Sequence, residues 1–331
     1  MKNAKKKNIL VTGGAGYIGS HMVRMLQDNG YNPIVFDNLC TGKRSAVSKG
    51  VPFIKGDLRK PQDIKKIFSE YKIDAITHFA ALIVVPESVV YPMKYYENNV
   101  MGSYNLIKAS IEHKMRKFIF SSTAAVYGSP AKMPVTEDVP RLPENPYGTT
   151  KMIVEDILKD ASHAYDFAYV ALRYFNVDGA HPSGELGRTS HLERTHLIPN
   201  VFMAIKREKK DLTIFGEDYP TKDGTCVRDY IHVQDLCRAH LLALEYLEKG
   251  MTSAVFNLGN GNGYSVKEVV DTVEKVTGEK VPVKMGPRRP GDSACIVASH
   301  EKAKKMLGWE PEFGIEDIVS SAWKRELKMK K

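Results

Sequence analysis

The sequence predicts an α/β fold in which a doubly wound parallel sheet is followed by a smaller α/β lobe. Through the first half of the chain, short β-branched and apolar runs alternate with amphipathic helical patterns, as repeated βαβ units require. The length of 331 residues also exceeds the ~250–300 residues at which a single core stops growing. We therefore expect two lobes, residues 1–175 and 176–331.

The predicted strands are short, and the predicted helices carry apolar residues at three- and four-residue steps. The strands are Ile9–Val11, Pro33–Asp37, Val51–Lys55, Ala75–Phe79, Lys117–Ser122 and Ala168–Tyr174. The helices are Met22–Asn29, Gln62–Tyr71, Met93–His113 and Tyr147–His163. After Asn176 the chain becomes rich in Gly, Pro, Ser and His and then alternates short elements with loops, which indicates the smaller lobe.

Composition and charge argue against several classes of protein. Hydrophobic residues make up 43% of the chain and charged residues 26%, which is typical of a globular protein and not of a disordered one. The formal charge of +9 comes mostly from the ends, within 2–7 and 324–331. We interpret these ends as solvated basic tails. Because phosphate contacts need cations on one folded face, we expect no nucleic-acid partner.

Cysteine spacing and hydropathy predict a cytoplasmic protein without a metal or a membrane partner. The four cysteines are widely spaced, as in reducing compartments: Cys40, Cys226, Cys237 and Cys295. His191 and His196 are five positions apart, which is the wrong spacing for two zinc ligands one helical turn apart. No stretch reaches the ~20 apolar residues of a membrane helix, and the run before Thr12 is too short for a signal peptide.

A glycine-rich loop directly follows the first predicted strand. Gly13, Gly14, Gly16 and Gly19 satisfy both GxGxxG and the wider GxxGxxG, a spacing that allows a tight turn and close approach of backbone N–H groups to a pyrophosphate. Asp37 ends the second strand 18 positions after Gly19, where a carboxylate accepts hydrogen bonds from ribose hydroxyls. The context predicts a Rossmann-type dinucleotide site. It favours NAD over NADP, because Asp37 would repel a 2′-phosphate.

Two features of the sequence favour other ligands than NAD, but each is outweighed. Gly14 and Gly19 also have the separation of a nucleoside-triphosphate loop, but Ser20-His21 stands where that loop requires Lys followed by Ser or Thr. Lys43 and Arg44 mildly favour NADP. They follow a flexible segment, however, whereas Asp37 lies on the end of the strand itself.

A Tyr-x-x-x-Lys pair begins the last predicted helix of the first lobe. Tyr147 and Lys151 share one helix face, and an ammonium close to a phenol lowers its pKa so that it can act as a general base. We interpret the chain's other such pair, Tyr104 and Lys108, as a packed aromatic and a solvated cation. Thr123, which follows the fifth strand, is predicted to meet Tyr147 and Lys151 at the carboxyl edge of the sheet.

Ten segments are informative together: VTGGAGYIGSH (11–21), DNLC (37–40), HFAA (78–81), ESV (87–89), YYENNV (95–100), FSSTAAVYG (120–128), PYGTTK (146–151), LRYFN (172–176), GAHPSG (179–184) and GTCVRDYIHV (224–233). In these segments the chain resembles the extended short-chain dehydrogenase/reductases and, among them, the enzymes that invert the 4-hydroxyl of UDP-hexoses. The resemblance runs from about residue 8 to 309.

The resemblance implies which residues bind cofactor and substrate. The NAD residues are Gly13, Gly14, Gly16, Tyr17, Ile18, Gly19, Asp37, Asn38, Leu39, Asp57, Leu58, Phe79, Ala80, Ala81, Asn98 and Lys151, with Ser121, Ser122 and Tyr174 at the nicotinamide end. The substrate residues are Thr123, Tyr147, Asn176, Leu197, Phe215, Arg228, Tyr230, Arg289, Asp292 and Ile296. The arginines would bind the diphosphate and a carboxylate the ribose, apolar side chains would enclose the uracil, and Ile296 would border the sugar's 2-position.

The implied activity is the reversible interconversion of UDP-galactose and UDP-glucose through a 4-keto sugar, with tightly bound NAD. Tyr147 would exchange the proton of the 4-hydroxyl, Thr123 would bind the 4-oxygen, and Lys151 would hold ribose hydroxyls and lower the pKa of Tyr147. The implied partner is a second copy of the chain, bound through helices 93–113 and 147–163. Nothing in the resemblance explains Asp178.

Other activities stay open at this point. A related epimerase acting on UDP-N-acetylhexosamines or UDP-uronates would share these residues. A sugar-nucleotide dehydratase is disfavoured because Ala124 and Ala125 stand where an Asp-Glu pair would eliminate water, and no carboxylate-recognising set supports a decarboxylase. A non-catalytic NAD-sensing protein would have no use for Thr123, Tyr147 and Lys151 together.

Overall fold

The structure, a computed structural model, describes residues 6–188, 196–289 and 292–329. The chain forms two compact units. Unit 1 comprises residues 1–128, 140–173 and 237–256, and unit 2 comprises residues 129–139, 174–236 and 257–331. The units interleave along the sequence. The predicted division of cofactor and substrate binding between residues 1–175 and 176–331 concerns function and stays a prediction.

The described residues form strands and helices with the following bounds. The strands are β1 (Asn8–Thr12), β2 (Asn32–Asp37), β3 (Phe53–Lys55), β4 (Ala75–His78), β5 (Lys117–Thr123), β6 (Ala168–Tyr174), β7 (Asn176–Asp178), β8 (Leu212–Phe215), β9 (Val227–His232), β10 (Ala254–Leu258), β11 (Gly263–Ser265), β12 (Val283–Gly286) and β13 (Cys295–Ile296). The α-helices are α1 (Tyr17–Asp28), α2 (Pro61–Glu70), α3 (Val85–Val90), α4 (Pro92–Tyr95), α5 (Gly102–Glu112), α6 (Pro146–Ala164), α7 (Leu197–Ile205), α8 (Val233–Glu248), α9 (Val266–Thr277), α10 (Glu301–Leu307) and α11 (Ile315–Lys328).

Unit 1 is built on a seven-stranded sheet with the order β10-β6-β5-β4-β1-β2-β3. β1 pairs in parallel with β2 on one side and β4 on the other, so the strand order reverses beside β1. Ligands of such sheets bind at this reversal, outside the carboxyl ends of the strands. The predicted Rossmann-type doubly wound sheet is confirmed. Its core is fully buried and apolar around Leu10, Ile76 and Phe118.

The predicted helix Met93–His113 is present as an unbroken helical stretch, but it is not a uniform α-helix. The chain forms α4, then a π-helix at Tyr96–Met101, then α5. A π-helical turn holds more residues than an α-helical turn, so it rotates the faces of the helix that follows. Apolar periodicity alone does not reveal the wider turn. The interpretation of Tyr104 as a packed aromatic is wrong, since this side chain is 43% exposed.

Unit 2 is organised around β9. β9 pairs with β7, β11 and β13, while β8 and β12 form a separate parallel pair. Helices α7, α9 and α11 supply much of the buried core, which includes Phe202, Val269 and Ile318. The register places Asn176 opposite Tyr230 and Ile296 opposite Arg228. Four of the predicted substrate residues therefore lie on adjacent strands.

The interpretation of the C-terminal cations as a solvated tail is wrong for Lys324, Arg325 and Lys328, whereas Lys330 and Lys331 lie outside the described residues. Lys324 donates to the carbonyl oxygen of Pro182 at 2.6 Å, Lys328 donates to that of Ser183 at 2.6 Å, and Arg325 donates to that of Glu185 at 2.8 Å. These cations of α11 satisfy backbone acceptors of the loop before residue 188. At the other end, Lys6 and Lys7 are described and the earlier lysines lie outside the described residues.

The buried carboxylate of Asp178 now has an explanation. Its side chain is 3% exposed and lies 3.7 Å from Arg188 Nη2, which also donates to the carbonyl of Val177 at 2.8 Å. Burial raises the pKa of Asp178, while the charge of Arg188 and the N–H of Gly179 oppose that rise. The contact between Asp178 and Arg188 joins the beginning of the loop after β7 to its end at residue 188.

Membrane and metal features were sought in the part of the chain that the structure describes. None of its helices is both long and apolar enough to cross a bilayer. No group of three or more His, Cys, Asp or Glu side chains there is arranged to hold a metal ion. His196 precedes α7, whereas His191 lies outside the described residues.

Candidate active site

The glycine loop joins β1 to α1 in a conformation that side chains would obstruct. Gly13 has φ +72°, and a Cβ there would lie 2.7 Å from the backbone nitrogen of Ala80. A Cβ on Gly19 would lie 2.1 Å from the carbonyl oxygen of Gly13. Gly16 is the N-cap of α1 and provides no side-chain acceptor for the first N–H groups of the helix. These N–H groups suit an anionic ligand.

Asp37 shapes the same loop from the end of β2. Its Oδ2 accepts from the backbone N–H of Ala15 at 2.9 Å, and its Oδ1 accepts from that of Leu39 at 2.7 Å. Leu39 has φ +62°, a backbone conformation that is uncommon for residues other than glycine. Burial raises the pKa of Asp37, and the two backbone hydrogen bonds partly oppose the rise. The carboxylate therefore holds the loop as well as being available to a ribose.

These residues fit a dinucleotide. Three features of the loop match those of dinucleotide sites: the close approach of backbone at Gly13 and Gly19, the free N-terminus of α1 and the carboxylate at the end of β2. Asp57 lies near Asn38, whose amide is 3.5 Å from Asp57 Oδ2. The hydrogen bond from Arg59 is the main reason that the pKa of Asp57 is lowered to about 2. Asp57 is therefore ionised at neutral pH.

Tyr147 is placed by the start of α6. Asn145 is the N-cap and its Oδ1 accepts from the N–H of Gly148 at 2.9 Å, while Pro146 takes the first helical position, where no N–H is needed. Tyr147 is buried and hydrogen-bonded to Thr123. Thr123 Oγ1 accepts from the N–H of Ala125 at 3.2 Å, and its own proton is donated towards the phenol oxygen, which lowers the pKa of Tyr147.

Lys151 lies one turn further along α6 and is 4% exposed. Its Nζ donates to the carbonyl oxygen of Ser121 at 2.8 Å and lies 4.8 Å from the ring centre of Phe120. Burial lowers the pKa of Lys151 to about 7, against the opposing charge of Glu155. Thr123, Tyr147 and Lys151 are thus brought together at the carboxyl edge of the sheet, as predicted.

We predicted that Lys151 lowers the pKa of Tyr147. With only the groups of the protein present, this prediction is wrong. Burial raises the pKa of Tyr147 to about 12, and the hydrogen bond from Thr123 opposes that rise only in part. Burial disfavours the charged form of each of these two side chains, Tyr147 and Lys151. A phenolate here needs a further positive charge.

Two buried histidines support the strand ends and were missed as site residues. His78 Nδ1 is 2.6 Å from Thr12 Oγ1 and its Nε2 is 2.8 Å from Ser103 Oγ. Burial first, and then the charge of Lys151, lower the pKa of His78 to about 3. His240 Nε2 is 3.0 Å from Ser121 Oγ. His78 lies within the HFAA segment, but nothing in the sequence links residue 240 to residue 121.

The remaining predicted cofactor residues of unit 1 take varied positions. Phe79 stacks on His240 with ring centres 4.7 Å apart, and Leu58 packs in the core. Asn98 lies in the π-helix and donates to the side chain of Asn99. Ser122 donates its hydroxyl to Glu155 at 2.5 Å. Roles in cofactor binding for all the residues assigned from the resemblance, including Tyr17, Ile18, Ala81 and, in unit 2, Tyr174, stay predictions.

Unit 2 gathers the predicted substrate residues into two neighbouring groups. Arg228 Nη2 lies 3.4 Å from Asp292 Oδ1, and Tyr230 hydrogen-bonds to the side chain of Asn176. Arg289 stacks on Phe215, with its guanidinium carbon 3.9 Å from the ring centre. A backbone hydrogen bond from Asp292 to Arg289 connects the groups. Leu197 begins α7 beside the unit 2 core.

The fold and this site define an NAD-dependent enzyme built on a Rossmann-type sheet. The chain matches the NAD dependent epimerase/dehydratase family over residues 9–259 and belongs to that family.

Individual relatives are similar over nearly the whole chain. A UDP-glucose 4-epimerase of Halalkalibacterium halodurans is 49% identical over 316 residues, which cover 95% of this chain and 94% of the relative. The structure of the Brucella ovis UDP-glucose 4-epimerase in complex with NAD is 44% identical, with a TM-score of 0.93 and coverage of 96% and 97%. The Bifidobacterium longum UDP-glucose 4-epimerase in complex with NAD⁺ and UDP is 40% identical, with a TM-score of 0.92 and coverage of 97% and 98%.

Proposed function

We propose that this protein interconverts UDP-galactose and UDP-glucose reversibly, through a 4-keto sugar and with tightly bound NAD. The observation that carries the proposal is the buried Thr123–Tyr147–Lys151 set at the sheet edge next to the glycine loop. Its support is the similarity, over nearly the full chain, to relatives that carry the name UDP-glucose 4-epimerase. Dehydratase and decarboxylase chemistry have no comparable support.

Each of the three side chains has a task in this reaction. Tyr147 accepts the proton of the sugar 4-hydroxyl and later returns a proton to the 4-oxygen. Thr123 donates a hydrogen bond to the phenol oxygen and so favours its ionised form. Lys151 places a cation within the buried site and offers donors to ribose hydroxyls. When bound, NAD supplies redox chemistry at C4 and a positive charge near the phenol.

The residues proposed for the nucleotide are those gathered in unit 2. Arg289 stacked on Phe215 joins a flat apolar surface to a cation, which suits a pyrimidine followed by a diphosphate. Arg228 adds a second cation, and Asp292 adds an acceptor for ribose hydroxyls. Tyr230 and Asn176 lie on the adjacent strand positions.

Purified protein incubated with UDP-galactose alone is the direct test. Conversion to UDP-glucose without added cofactor supports the proposal, because the overall reaction neither oxidises nor reduces the sugar. A product that has lost water would point to a dehydratase. Absence of turnover with bound NAD present would favour a non-catalytic NAD-binding protein.

The alternative substrate class, UDP-N-acetylhexosamines, is distinguished by the space that Ile296 leaves for an N-acetyl group. This half-buried side chain lies opposite Arg228 in the β13–β9 pair and is proposed to border the sugar's 2-position. Forcing the extra volume of an N-acetyl group into a packed site costs ~1–3 kcal/mol, which is about ten- to a hundredfold in kcat/KM. We expect UDP-N-acetylhexosamines to be turned over poorly and Ile296→Ala to improve them. Near-equal kcat/KM for both sugar classes in the unmodified protein would show that Ile296 does not select.

A homodimer is the proposed assembly. The helices from α3 to α5 carry exposed apolar side chains, including Val89 at 61%, Val90 at 66% and Met93 at 70% exposure, and contiguous apolar surface of this kind marks association sites. Tyr104 lies in the same region. We also propose a cytoplasmic location without nucleic-acid or membrane partners, on the cysteine spacing and charge distribution of the sequence.

A further inference from the structure

Unit 1 buries an ion pair directly behind the Tyr147–Lys151 pair. Glu155 is 3% exposed and Arg173 is 5% exposed. Arg173 Nη2 lies 2.5 Å from Glu155 Oε2, and its Nε lies 2.9 Å from Oε1. The fork of Arg173 therefore holds the carboxylate through two hydrogen bonds. The proposed reaction does not use either residue.

The environment keeps the Arg173 charge in place. Burial alone would lower the pKa of Arg173, but the hydrogen bonds and charge of Glu155 raise it overall. Arg173 Nη1 also donates to the hydroxyl of Tyr127 at 2.8 Å. On the outer side, Arg141 Nη1 lies 3.3 Å from Glu155 Oε2. The carboxylate of Glu155 is thus held by Arg173, by Arg141 and by its attachment to α6.

The fourth contact of the carboxylate is with the strand that carries Thr123. Ser122 Oγ donates to Glu155 Oε1 at 2.5 Å, and Ser122 is fully buried. Ser122 is flanked by Ser121, whose carbonyl accepts from Lys151 Nζ, and by Thr123, which hydrogen-bonds to Tyr147. The segment Ser121–Thr123 contacts both Tyr147 and Lys151 of α6. Glu155, on the same helix, holds the middle residue of this segment, Ser122.

Glu155 also provides negative charge to Lys151, one helical turn away. Within the described part of the chain, the groups on other elements that interact with Lys151 are the ring of Phe120 and the carbonyl of Ser121 on β5 and His78 on β4, and none of them is a carboxylate. On its own helix the phenol of Tyr147 is neutral, with a pKa of about 12. Glu155 is the charge that opposes the loss of the Lys151 proton on burial.

We propose that Glu155 is a positioning residue for the Tyr147–Lys151 pair. It fixes Ser121 to Thr123 against α6 through Ser122, and its negative charge favours the protonated form of Lys151. Arg173 holds the Glu155 carboxylate in the orientation that both tasks need. This inference rests on the proposed function for its kinetic part. Its charge part concerns the protein alone and is testable without substrate.

Two variants separate position from charge. Ser122→Ala removes only the hydroxyl that links Glu155 to the strand and leaves the ion pair with Arg173 intact. We expect kcat for UDP-galactose to fall about tenfold with KM nearly unchanged, because small misplacements of reacting groups cost rate rather than binding. Ser110→Ala is the matched control, since Ser110 is fully buried and donates to the carbonyl of Leu106 at 2.7 Å away from the site. It should leave kcat unchanged.

Glu155→Gln tests the charge and keeps the shape. Carbon-13 NMR of labelled lysine, with the Lys151 signal assigned by Lys151→Met, should show the Lys151 proton lost at lower pH in Glu155→Gln than in the wild type. Glu155→Asp should restore much of the wild-type titration. Because Glu155→Gln leaves the cation of Arg173 buried without its partner, the double variant Glu155→Gln/Arg173→Met, which removes both charges, serves if Glu155→Gln does not fold.

In the pH dependence of kcat, the fall on the alkaline side should move to lower pH in Glu155→Gln, as the ammonium is lost earlier. An unchanged Lys151 titration in Glu155→Gln, or in Glu155→Gln/Arg173→Met if only that double variant folds, would overturn the charge part. Equal kcat in Ser122→Ala and Ser110→Ala would overturn the positioning part. A wild-type protein that does not convert UDP-galactose would contradict the proposed function, while the NMR titration would still decide the role of Glu155.

Discussion

Replacing Tyr147 with phenylalanine should lower kcat for UDP-galactose by about 10²–10⁴-fold, the usual effect of losing a general acid–base group. The ring keeps its buried packing, so the fold and the bound cofactor should persist. What disappears is the phenol oxygen that Thr123 hydrogen-bonds and that would exchange a proton with the sugar. Initial rates at saturating substrate, together with the amount of bound NAD, measure both effects.

Tyr104→Phe is the matched control because the chain's second Tyr-x-x-x-Lys pair offers the same substitution in another helix. Tyr104 is 43% exposed and lies outside the candidate active site. We expect its rate to stay within about twofold of the wild type, as surface substitutions usually do. Equal losses in the two variants would show that the wrong pair was assigned to the reaction.

Gly19→Ala should abolish cofactor retention. Its Cβ would lie 2.1 Å from the carbonyl oxygen of Gly13, a backbone atom that cannot move away without opening the loop. Overpacking of this kind typically costs ~1–3 kcal/mol, and the displaced loop no longer presents its N–H groups to a pyrophosphate. Denatured wild-type protein should release NAD and no NADP, whereas denatured Gly19→Ala should release almost none.

The control for the glycine variant is Gly314→Ala. Gly314 precedes α11 with a negative φ, and the nearest atom to an added Cβ is 3.8 Å away. It should retain NAD as the wild type does. If Gly19→Ala retained a full complement of NAD at wild-type thermal stability, the assignment of this loop to the cofactor would be wrong.

Much of unit 1 could be predicted because its signals are local. The glycine loop, the strand-end Asp37 and the Tyr147–Lys151 spacing each lie within a short stretch, and the βαβ alternation orders the strands that carry them. Thr123 could be joined to Tyr147 because strand ends and helix starts meet at one sheet edge. The site therefore followed from sequence wherever topology alone brings residues together.

What the sequence did not reveal depends on contacts between distant residues. His240 reaches Ser121 and Arg173 reaches Glu155 across folded distances that no spacing encodes. Burial, which is a property of the whole fold, raises the pKa of Tyr147 to about 12 against the expected direction. The π-helix and the docking of the C-terminal cations on residues 182–185 were missed for the same reason.

The fate of the hydrogen at C4 tests the central proposal most directly. UDP-galactose carrying deuterium at C4 is incubated with the purified protein, and the UDP-glucose formed is analysed for its label. If C4 is oxidised and reduced again within one closed site, the deuterium leaves and returns without meeting water, and the product should keep it at C4. Formation of UDP-glucose that has exchanged its C4 deuterium for solvent hydrogen, or no formation of UDP-glucose, would contradict the proposal.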